Sequence, residues 1–311
     1  MLTILNTNYK RVGALELFGI ALALATLNAC SSIVEQSANS PVTQPISAAP
    51  IFEMDFENYS NEYQDYRLDM VAKDFASIDK RASGEIRGFD SETKTWTARN
   101  QVGLGHLKAE FAANIASGKE TGFLFDKAFP DMESASMEYR LKFSPDFVWA
   151  LGGKLPGLGG AAQGANIPVG CTQDQNNIKN GFSTRLMWRR DGRLVVYTYF
   201  PDRQNRCGED YTFFKAEAGK WYKITQTIAL NTPGQRDGQI WMFVDDALVY
   251  YKDDAFFREA GKDKVKVNTG IFHTYRGGGR DDPRFHSPRK EHIYFDDFKI
   301  WAGKHPNLSY E

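Results

Sequence analysis

Apolar and polar positions alternate with a period of two along most of the chain between residues 51 and 301. This alternation is typical of strands that bury one face. The clearest runs cover residues 137–143, 221–228, 239–244 and 292–301. Helical periodicity is convincing only over residues 254–261. The pattern therefore predicts an all-β fold over residues 51–303, a single β-jelly roll or concanavalin-like sandwich with few short helices, followed by a C-terminal tail over residues 304–311.

The first 50 residues follow a different pattern. Lys10 and Arg11 precede an apolar stretch that ends in the string LNAC at Cys30. A charged start, an apolar middle and a small residue before the cut are the parts of a secretory signal. The LNAC string resembles the lipobox of bacterial lipoproteins, which implies a signal peptide over residues 1–29 and a lipidated Cys30. The alternatives are a signal without lipid or a retained membrane anchor.

Residues 30–50 are rich in Ser, Pro and Ala and lack an apolar period, which predicts a flexible tether behind the lipid. Ser31 after the cysteine fits outer-membrane delivery in the lipoproteins that the signal resembles. We therefore expect an exported protein that is lipid-anchored to the outer membrane, on its periplasmic side or at the cell surface. The anchor is its only expected membrane contact.

Composition narrows the possible functions. The 311 residues contain 38 Lys and Arg against 39 Asp and Glu, which excludes a globally basic nucleic-acid binder. The 22 Phe, 14 Tyr and 6 Trp residues are too many for a disordered chain. With Cys30 assigned to the lipid, Cys171 and Cys207 remain, and an oxidising compartment favours a disulfide between them. Two free thiols or a catalytic cysteine are the alternatives.

Three strings in the middle of the chain carry the candidate chemistry: GGKLPGL at residues 152–158, GFSTRLMW at residues 181–188 and VYTYF at residues 196–200. Together they resemble the family 14 polysaccharide lyases, which include alginate and glucuronan lyases, over residues 105–300. The resemblance implies a β-jelly roll that holds an acidic polysaccharide in a groove and cleaves it by β-elimination at a uronic acid. The family's functional residues match Lys154, Ser183, Arg185, Tyr197 and Tyr199.

These residue types suit an elimination. The intermediate places extra negative charge on the uronate carboxylate, and Arg185 can pair with that carboxylate bidentately. Lys154 or Tyr197 could serve as the base if neighbouring cations favour its deprotonated form, and Tyr199 could serve as the acid. Without the resemblance, the sequence alone would favour a solvated strand position for Arg185 and a surface position for Lys154. It would favour an ordinary strand-forming role for the two tyrosines.

Strand geometry offers a test of this assignment. Ser183 and Arg185 share one strand face, as do Tyr197 and Tyr199. A two-residue Asp191-Gly192 turn would direct the tyrosines to the wrong face. A three-residue loop over residues 190–192, with a left-handed Gly192, would instead bring all four side chains to one face. We therefore predict the three-residue loop.

A second group of candidate substrate-binding residues comprises His273, Tyr275 and Arg276, at the basic, aromatic end of a predicted strand. The loop over residues 276–290 carries five cations against two aspartates, which suits a polyanion, although a solvated surface loop would read the same way. No cysteine or histidine spacing predicts a metal ion, and no cofactor is expected. Asp296 and Asp297 are adjacent in a strand, so they should point to opposite faces.

We therefore expect a monomeric polysaccharide lyase that cleaves a uronate polymer without a metal ion. Its expected partner is the acidic polysaccharide, and no nucleic acid is expected. A non-catalytic carbohydrate-binding envelope lipoprotein on the same fold is the alternative, and a structural envelope protein is a remoter one.

Overall fold

The computed structural model describes residues 49–82, 84–89, 100–117 and 120–311, which belong to one unit that spans Pro45–Glu311. The signal peptide, Cys30 and nearly all of the tether lie outside the described residues. The described strands are β1 (Phe52–Met54), β2 (Gln64–Asp65), β3 (Gln101–Gly103), β4 (His106–Phe111), β5 (Phe123–Met132), β6 (Ser134–Phe143), β7 (Gly153–Ala161), β8 (Gly181–Trp188), β9 (Arg193–Tyr199), β10 (Glu209–Lys215), β11 (Trp221–Ala229), β12 (Gly238–Val244), β13 (Ala247–Ala255), β14 (Val267–Arg276) and β15 (Glu291–Ala302).

These strands form two antiparallel sheets. The larger sheet has the order β13-β12-β11-β6-β15-β4-β3-β2, with β1 also paired to β15. The smaller sheet has the order β10-β9-β8-β7-β14-β5. Two short helices, α1 (Leu68–Asp74) and α2 (Gln175–Asn180), and three single 3-10 turns, Glu57–Tyr59, Arg190–Gly192 and Pro283–Phe285, lie in the connections. The predicted all-β jelly-roll sandwich is confirmed.

The core lies between the two sheets and follows the alternation read from the sequence. On β6, Met137, Tyr139, Leu141 and Phe143 are buried, whereas the intervening Arg140 is exposed. The smaller sheet contributes apolar side chains from its inner face, and these include Phe182, Leu186, Trp188, Leu194 and Val196. Burial of this apolar surface is the main favourable contribution to folding.

The prediction of a helix over residues 254–261 was wrong. Residues 254–255 end β13, and the residues that follow are irregular. The backbone N–H groups of Phe257 and Arg258 donate to Asn231 Oδ1 at 2.9 and 3.0 Å. A tertiary contact therefore takes the N–H of Arg258, which in the predicted helix would donate to the carbonyl of residue 254.

Candidate active site

The β8–β9 hairpin turns through the predicted three-residue loop. Residues Arg190–Gly192 form a 3-10 turn, and the N–H of Arg189 donates to the carbonyl of Arg193 at 2.7 Å. Gly192 is left-handed at φ 77°, and Asp191 is left-handed as well at φ 60°. A Cβ on Gly192 would lie 2.1 Å from the carbonyl oxygen of Ala216, so both the conformation and the packing require glycine.

This loop sets the register that brings the candidate residues together. Ser183 lies opposite Tyr199, and Arg185 lies opposite Tyr197. All four side chains therefore lie on the outer face of the smaller sheet, away from the core between the sheets. Lys154 joins them from the neighbouring strand β7. The predicted one-face arrangement is confirmed.

Lys154 is held in a nearly dry environment. It lies opposite Met187, donates to the thioether sulfur at 2.8 Å, and has its Nζ 4.0 Å from the ring centroid of Tyr197. Only 9% of the residue is exposed. Burial, assisted by the positive charges of Arg185 and Arg189, holds the pKa of Lys154 well below its ordinary value. The amine is therefore biased toward the neutral form that a base requires.

The two tyrosine hydroxyls lie side by side. Their oxygens are 3.3 Å apart, and each accepts a backbone N–H at 2.9 Å, Tyr197 from Gly208 and Tyr199 from Cys171. Burial first, and the neighbouring Tyr199 second, raise the pKa of Tyr197 above its ordinary value of 10.0. Tyr197 therefore keeps its proton at neutral pH, which suits a proton donor rather than a base.

Arg185 completes the site cluster, which consists of Lys154, Tyr197, Tyr199 and Arg185. The Arg185 side chain is fully buried. Its Nη1 donates to His273 Nδ1 at 3.2 Å, and its Nε and Nη2 have no hydrogen-bond partner in the described parts of the chain. His273 Nε2 lies 3.0 Å from Asp126 Oδ1, and burial lowers the pKa of His273. A neutral His273 with its proton on Nε2 can accept from Arg185 and face Asp126 at once. The guanidinium is thus oriented without a carboxylate of its own.

Ser183 and Tyr275 hold more peripheral positions. The Ser183 hydroxyl is fully buried and donates to the carbonyl of Pro168 at 2.9 Å, so it anchors the loop that follows β7. Tyr275 on β14 lies opposite Lys154 and is partly exposed. His273 and Tyr275 therefore border the cluster, and their substrate-binding role stays a prediction, whereas Ser183 lies beneath the loop.

Arg276 does not lie with the cluster. It is fully buried, its guanidinium is ion-paired with the buried carboxylate of Glu291, and it donates to the carbonyl of Val148 at 3.1 Å. The guanidinium also lies 5.3 Å from the ring centroid of Phe147, which belongs to the core. The next residue along a strand points to the opposite face, so Arg276 is directed inward where Tyr275 is directed outward. This position does not support the substrate-binding role expected for Arg276.

The other cations of the loop over residues 276–290 also have acidic neighbours. The pairs are Arg280 with Glu120, Arg284 with Asp282, Arg289 with Glu291 and Lys290 with Glu110. A paired cation offers a polyanion less attraction than an unpaired one, because the neighbouring carboxylate offsets its charge. The basic patch expected from this loop is therefore largely neutralised by its neighbours.

The predicted Cys171–Cys207 disulfide is present. Beside it, a surface depression of about 550 Å³ is lined by residues that include Arg189, Tyr197 and Asp210. Arg189 forms a bidentate pair with Asp210 at 2.6 and 2.8 Å, and its guanidinium lies 5.5 Å from the Tyr197 ring centroid. Tyr197 is therefore the cluster's tyrosine at the border of an open depression.

Sequence reasoning missed several residues of this cluster. Met187 stands two positions after Arg185, so the same parity argument would have placed it on the site face. Asp126 and Gly208 gave no comparable signal. Asp126 reaches His273 only because β5 pairs with β14, and Gly208 lies on a loop that the disulfide ties to residue 171.

The strands that carry the site cluster lie within a region that matches a known protein family. The model of the polysaccharide lyase 14 family matches residues 105–298. The chain belongs to this family. No curated protein matches the chain significantly.

Among solved structures, this polysaccharide lyase 14 member is similar to three alginate lyases. Aly36B is 22% identical, with a TM-score of 0.62 over 83% of this chain and 98% of that chain. The marine enzyme from Aplysia kurodai is 21% identical, with a TM-score of 0.61 over 82% and 99%. The enzyme vAL-1 from Chlorella virus is 18% identical, with a TM-score of 0.52 over 73% and 91%. At these identities the similarity establishes a shared fold.

Two further observations concern metals and membranes. The described residues include no group of three or more His, Cys, Asp or Glu side chains placed to hold a metal ion. Asp296 and Asp297 interrupt the regular strand, because Asp297 is left-handed. Burial together with the neighbouring Asp297 raises the pKa of Asp296 to about 7.

Among the helices that the structure describes, none has the length and hydropathy needed to span a bilayer.

Proposed function

We propose that this protein is a lyase that cleaves an acidic uronate polysaccharide by β-elimination. The observation that carries the proposal is Arg185, a fully buried guanidinium whose Nε and Nη2 have no acceptor within the described residues. A buried cation with unused donors is costly unless an anion completes its hydrogen bonds. A uronate carboxylate supplies two oxygens in the geometry that a guanidinium binds best. Because Arg185 is fully buried, the proposal requires that a neighbouring side chain be displaced when the carboxylate binds.

The cluster then provides each step of the reaction. Arg185 stabilises the charge that develops on the carboxylate when the C5 proton leaves. Neutral Lys154 takes that proton with its lone pair and becomes an ammonium. The electron pair of the C5–H bond forms the C4–C5 double bond, and the bond from C4 to the glycosidic oxygen breaks. The tyrosine pair protonates the departing oxygen.

We assign the proton donor to Tyr197, in place of the Tyr199 that the sequence suggested. Tyr197 lies at the depression and stays protonated, and Lys154 lies against its ring. Tyr199 is 1% exposed, and its hydroxyl lies beside that of Tyr197. Tyr199 therefore orients Tyr197 in this assignment. Transfer of the proton from the Lys154 ammonium back to Tyr197 through solvent restores both groups.

This scheme uses side chains alone, so we propose a metal-independent reaction. The positive charge that stabilises the intermediate comes from Arg185, and the base and acid come from Lys154 and Tyr197. Structures of Aly36B variants in complex with an alginate trisaccharide and an alginate tetrasaccharide make alginate the first polymer to test. Glucuronan is the second, because the sequence resemblance extends to glucuronan lyases.

The test is the ultraviolet absorbance of unsaturated uronate ends when the purified full chain is mixed with alginate or glucuronan. A neutral glucan serves as the control polymer, and a chelator is included in a parallel series. We expect cleavage of at least one uronate polymer that the chelator does not reduce. Binding of every tested uronate polymer without new unsaturated ends would refute the enzyme and leave a carbohydrate-binding protein.

Tyrosine variants test the assignment of the acid. We expect Tyr197→Phe to abolish cleavage and to spare most binding, and Tyr199→Phe to retain part of the rate. Tyr211→Phe is the control, since Tyr211 lines the same depression and its hydroxyl donates to Glu209. Full retention of cleavage by Tyr197→Phe would remove Tyr197 from the mechanism.

We also propose that Cys30 is lipidated and that the tether over residues 30–50 holds the lyase domain at the outer membrane. The support is the LNAC string with its charged and apolar lead. Membrane fractionation and mass spectrometry of the mature N-terminus test this proposal. We expect Cys30→Ser to release the protein from the membrane fraction. Unchanged retention of that variant would refute the lipid anchor.

A further inference from the structure

The Cys171–Cys207 disulfide lies next to both hydrogen bonds that hold the tyrosine pair. The N–H of Cys171 itself donates to the Tyr199 hydroxyl at 2.9 Å. The N–H of Gly208, the residue after Cys207, donates to the Tyr197 hydroxyl at 2.9 Å. These two donors stand on loops at opposite ends of the β8–β9 hairpin segment. The disulfide links cysteines 36 positions apart in the chain and joins the two loops directly at the tyrosines.

Both donor residues are built to fit this position. Cys171 is left-handed at φ 59°, a conformation that residues other than glycine adopt uncommonly. Gly208 packs so closely that an added Cβ would lie 2.8 Å from Tyr197 Cζ and 2.8 Å from Tyr199 Cε2. Only a glycine therefore allows this backbone to approach the two rings. The loops contact the tyrosines through their backbone, and the disulfide fixes the spacing of that backbone.

This arrangement also limits where the two hydroxyl hydrogens of Tyr197 and Tyr199 can be donated. Each hydroxyl oxygen already accepts a backbone N–H, and the oxygens are 3.3 Å apart. One hydroxyl can donate to the other, which uses one of the two hydrogens. The second hydrogen remains for an acceptor outside the pair. If the two backbone donors move, nothing in this network directs that hydrogen toward the substrate.

We propose that the Cys171–Cys207 disulfide, together with Gly208, is a positioning element for the tyrosine pair, so that turnover requires the oxidised cysteine pair. This inference rests on the proposed lyase function. Cys171 and Gly208 are positioning residues, because they act on the reaction only through Tyr199 and Tyr197. Reduction by an external dithiol, which becomes a disulfide as both cysteines become thiols, should therefore slow the chemical step more than it weakens substrate binding.

The experiment compares the oxidised full chain, the dithiothreitol-reduced chain and the Cys171→Ser/Cys207→Ser variant, with sodium alginate as the substrate. Misplacement of reacting groups by about 1 Å can cost roughly 10²-fold in rate. We expect kcat to fall by about that factor on reduction, KM to change little, and diamide reoxidation to restore kcat. The serine variant should be equally slow and should not respond to dithiothreitol. Circular dichroism at the assay temperature confirms that each form is folded.

A second variant leaves the disulfide intact. Gly208→Ala forces a Cβ against both rings and should lower kcat in the oxidised chain. Gly279→Ala is the matched control, because an added Cβ there meets no atom within 4 Å. Equal kcat for oxidised, reduced and serine forms would overturn the positioning role while leaving the lyase proposal standing. No cleavage of any uronate polymer by the oxidised chain would overturn both. A KM increase at constant kcat would overturn the positioning role as well, by showing that the disulfide shapes binding instead.

Discussion

Replacement of Arg276 by methionine separates the structural role of this residue from the substrate-binding role that the sequence suggested. Arg276 and Glu291 form an ion pair whose side chains are 0% and 2% exposed. Glu291 also accepts the N–H of Val148 at 2.7 Å, so the carboxylate cannot move to solvent without breaking a second bond. Removing one partner of a buried pair costs about 3–5 kcal/mol because it leaves the other charge without its main partner. Arg289, whose half-exposed guanidinium lies 3.6 Å from Glu291, offsets only part of that remaining charge.

For a domain of this size, 1 kcal/mol shifts the melting temperature by roughly 2–4 °C. Arg276→Met should therefore lower Tm by about 6–20 °C, from the loss of about 3–5 kcal/mol. The Arg276→Met/Glu291→Gln double variant should recover part of that loss, because the glutamine side chain is neutral and keeps an acceptor for the N–H of Val148. Calorimetry of the two single variants and the double variant forms a double-mutant cycle.

Cleavage assays complete the test of Arg276. Below its melting temperature, Arg276→Met should keep the KM and kcat of the unmodified protein, because the side chain is directed into the core. An unchanged melting temperature together with a large rise in KM for alginate would refute this reasoning and restore Arg276 to the substrate site.

Three further predictions concern the site itself. Arg185→Met should lower kcat/KM by about 10²–10³-fold. Arg185→Lys should recover little of that loss, because an ammonium lacks the planar fork of the guanidinium. Initial rates on alginate measure both variants, and full activity of the lysine variant would exclude the bidentate role. Lys154→Met should abolish cleavage yet raise stability at neutral pH. Burial lowers the pKa of Lys154 in the folded chain, so the unfolded chain binds more protons than the folded one between that lowered pKa and the ordinary value of 10.5. The stability of the unmodified protein therefore rises with pH across this window. Thermal unfolding from neutral to alkaline pH should show the gain shrinking as pH 10.5 approaches, and a Lys154→Met variant that is less stable at neutral pH would contradict it. With increasing pH, kcat/KM should rise as Lys154 loses its proton, at a pKa well below 10.5. It should fall only above pH 10.0, because the pKa of Tyr197 is raised. A fall in kcat/KM near neutral pH would exclude Tyr197 as the acid.

The sequence by itself determined the sheet fold and the face on which the site lies. Period-two alternation specifies which side of a strand is buried, so β6, β11, β12 and β15 could be located from the chain alone. The parity of Ser183 with Arg185 and of Tyr197 with Tyr199, together with the Arg190–Gly192 loop, specified the register of the hairpin. These features depend on local geometry, which a short stretch of sequence contains.

Tertiary structure decided the environment of each group. Arg185 and Arg276 are both fully buried arginines on strands. Among the described residues, Arg185 has two unused donors and no carboxylate partner, whereas Arg276 is paired with Glu291 in the core. Asp126, Cys171 and Gly208 reach the site from distant parts of the chain, and their contacts orient Arg185 and the tyrosines. Charge state and hydrogen bonding depend on burial and on neighbours in space, and neither quantity is a property of a local sequence pattern.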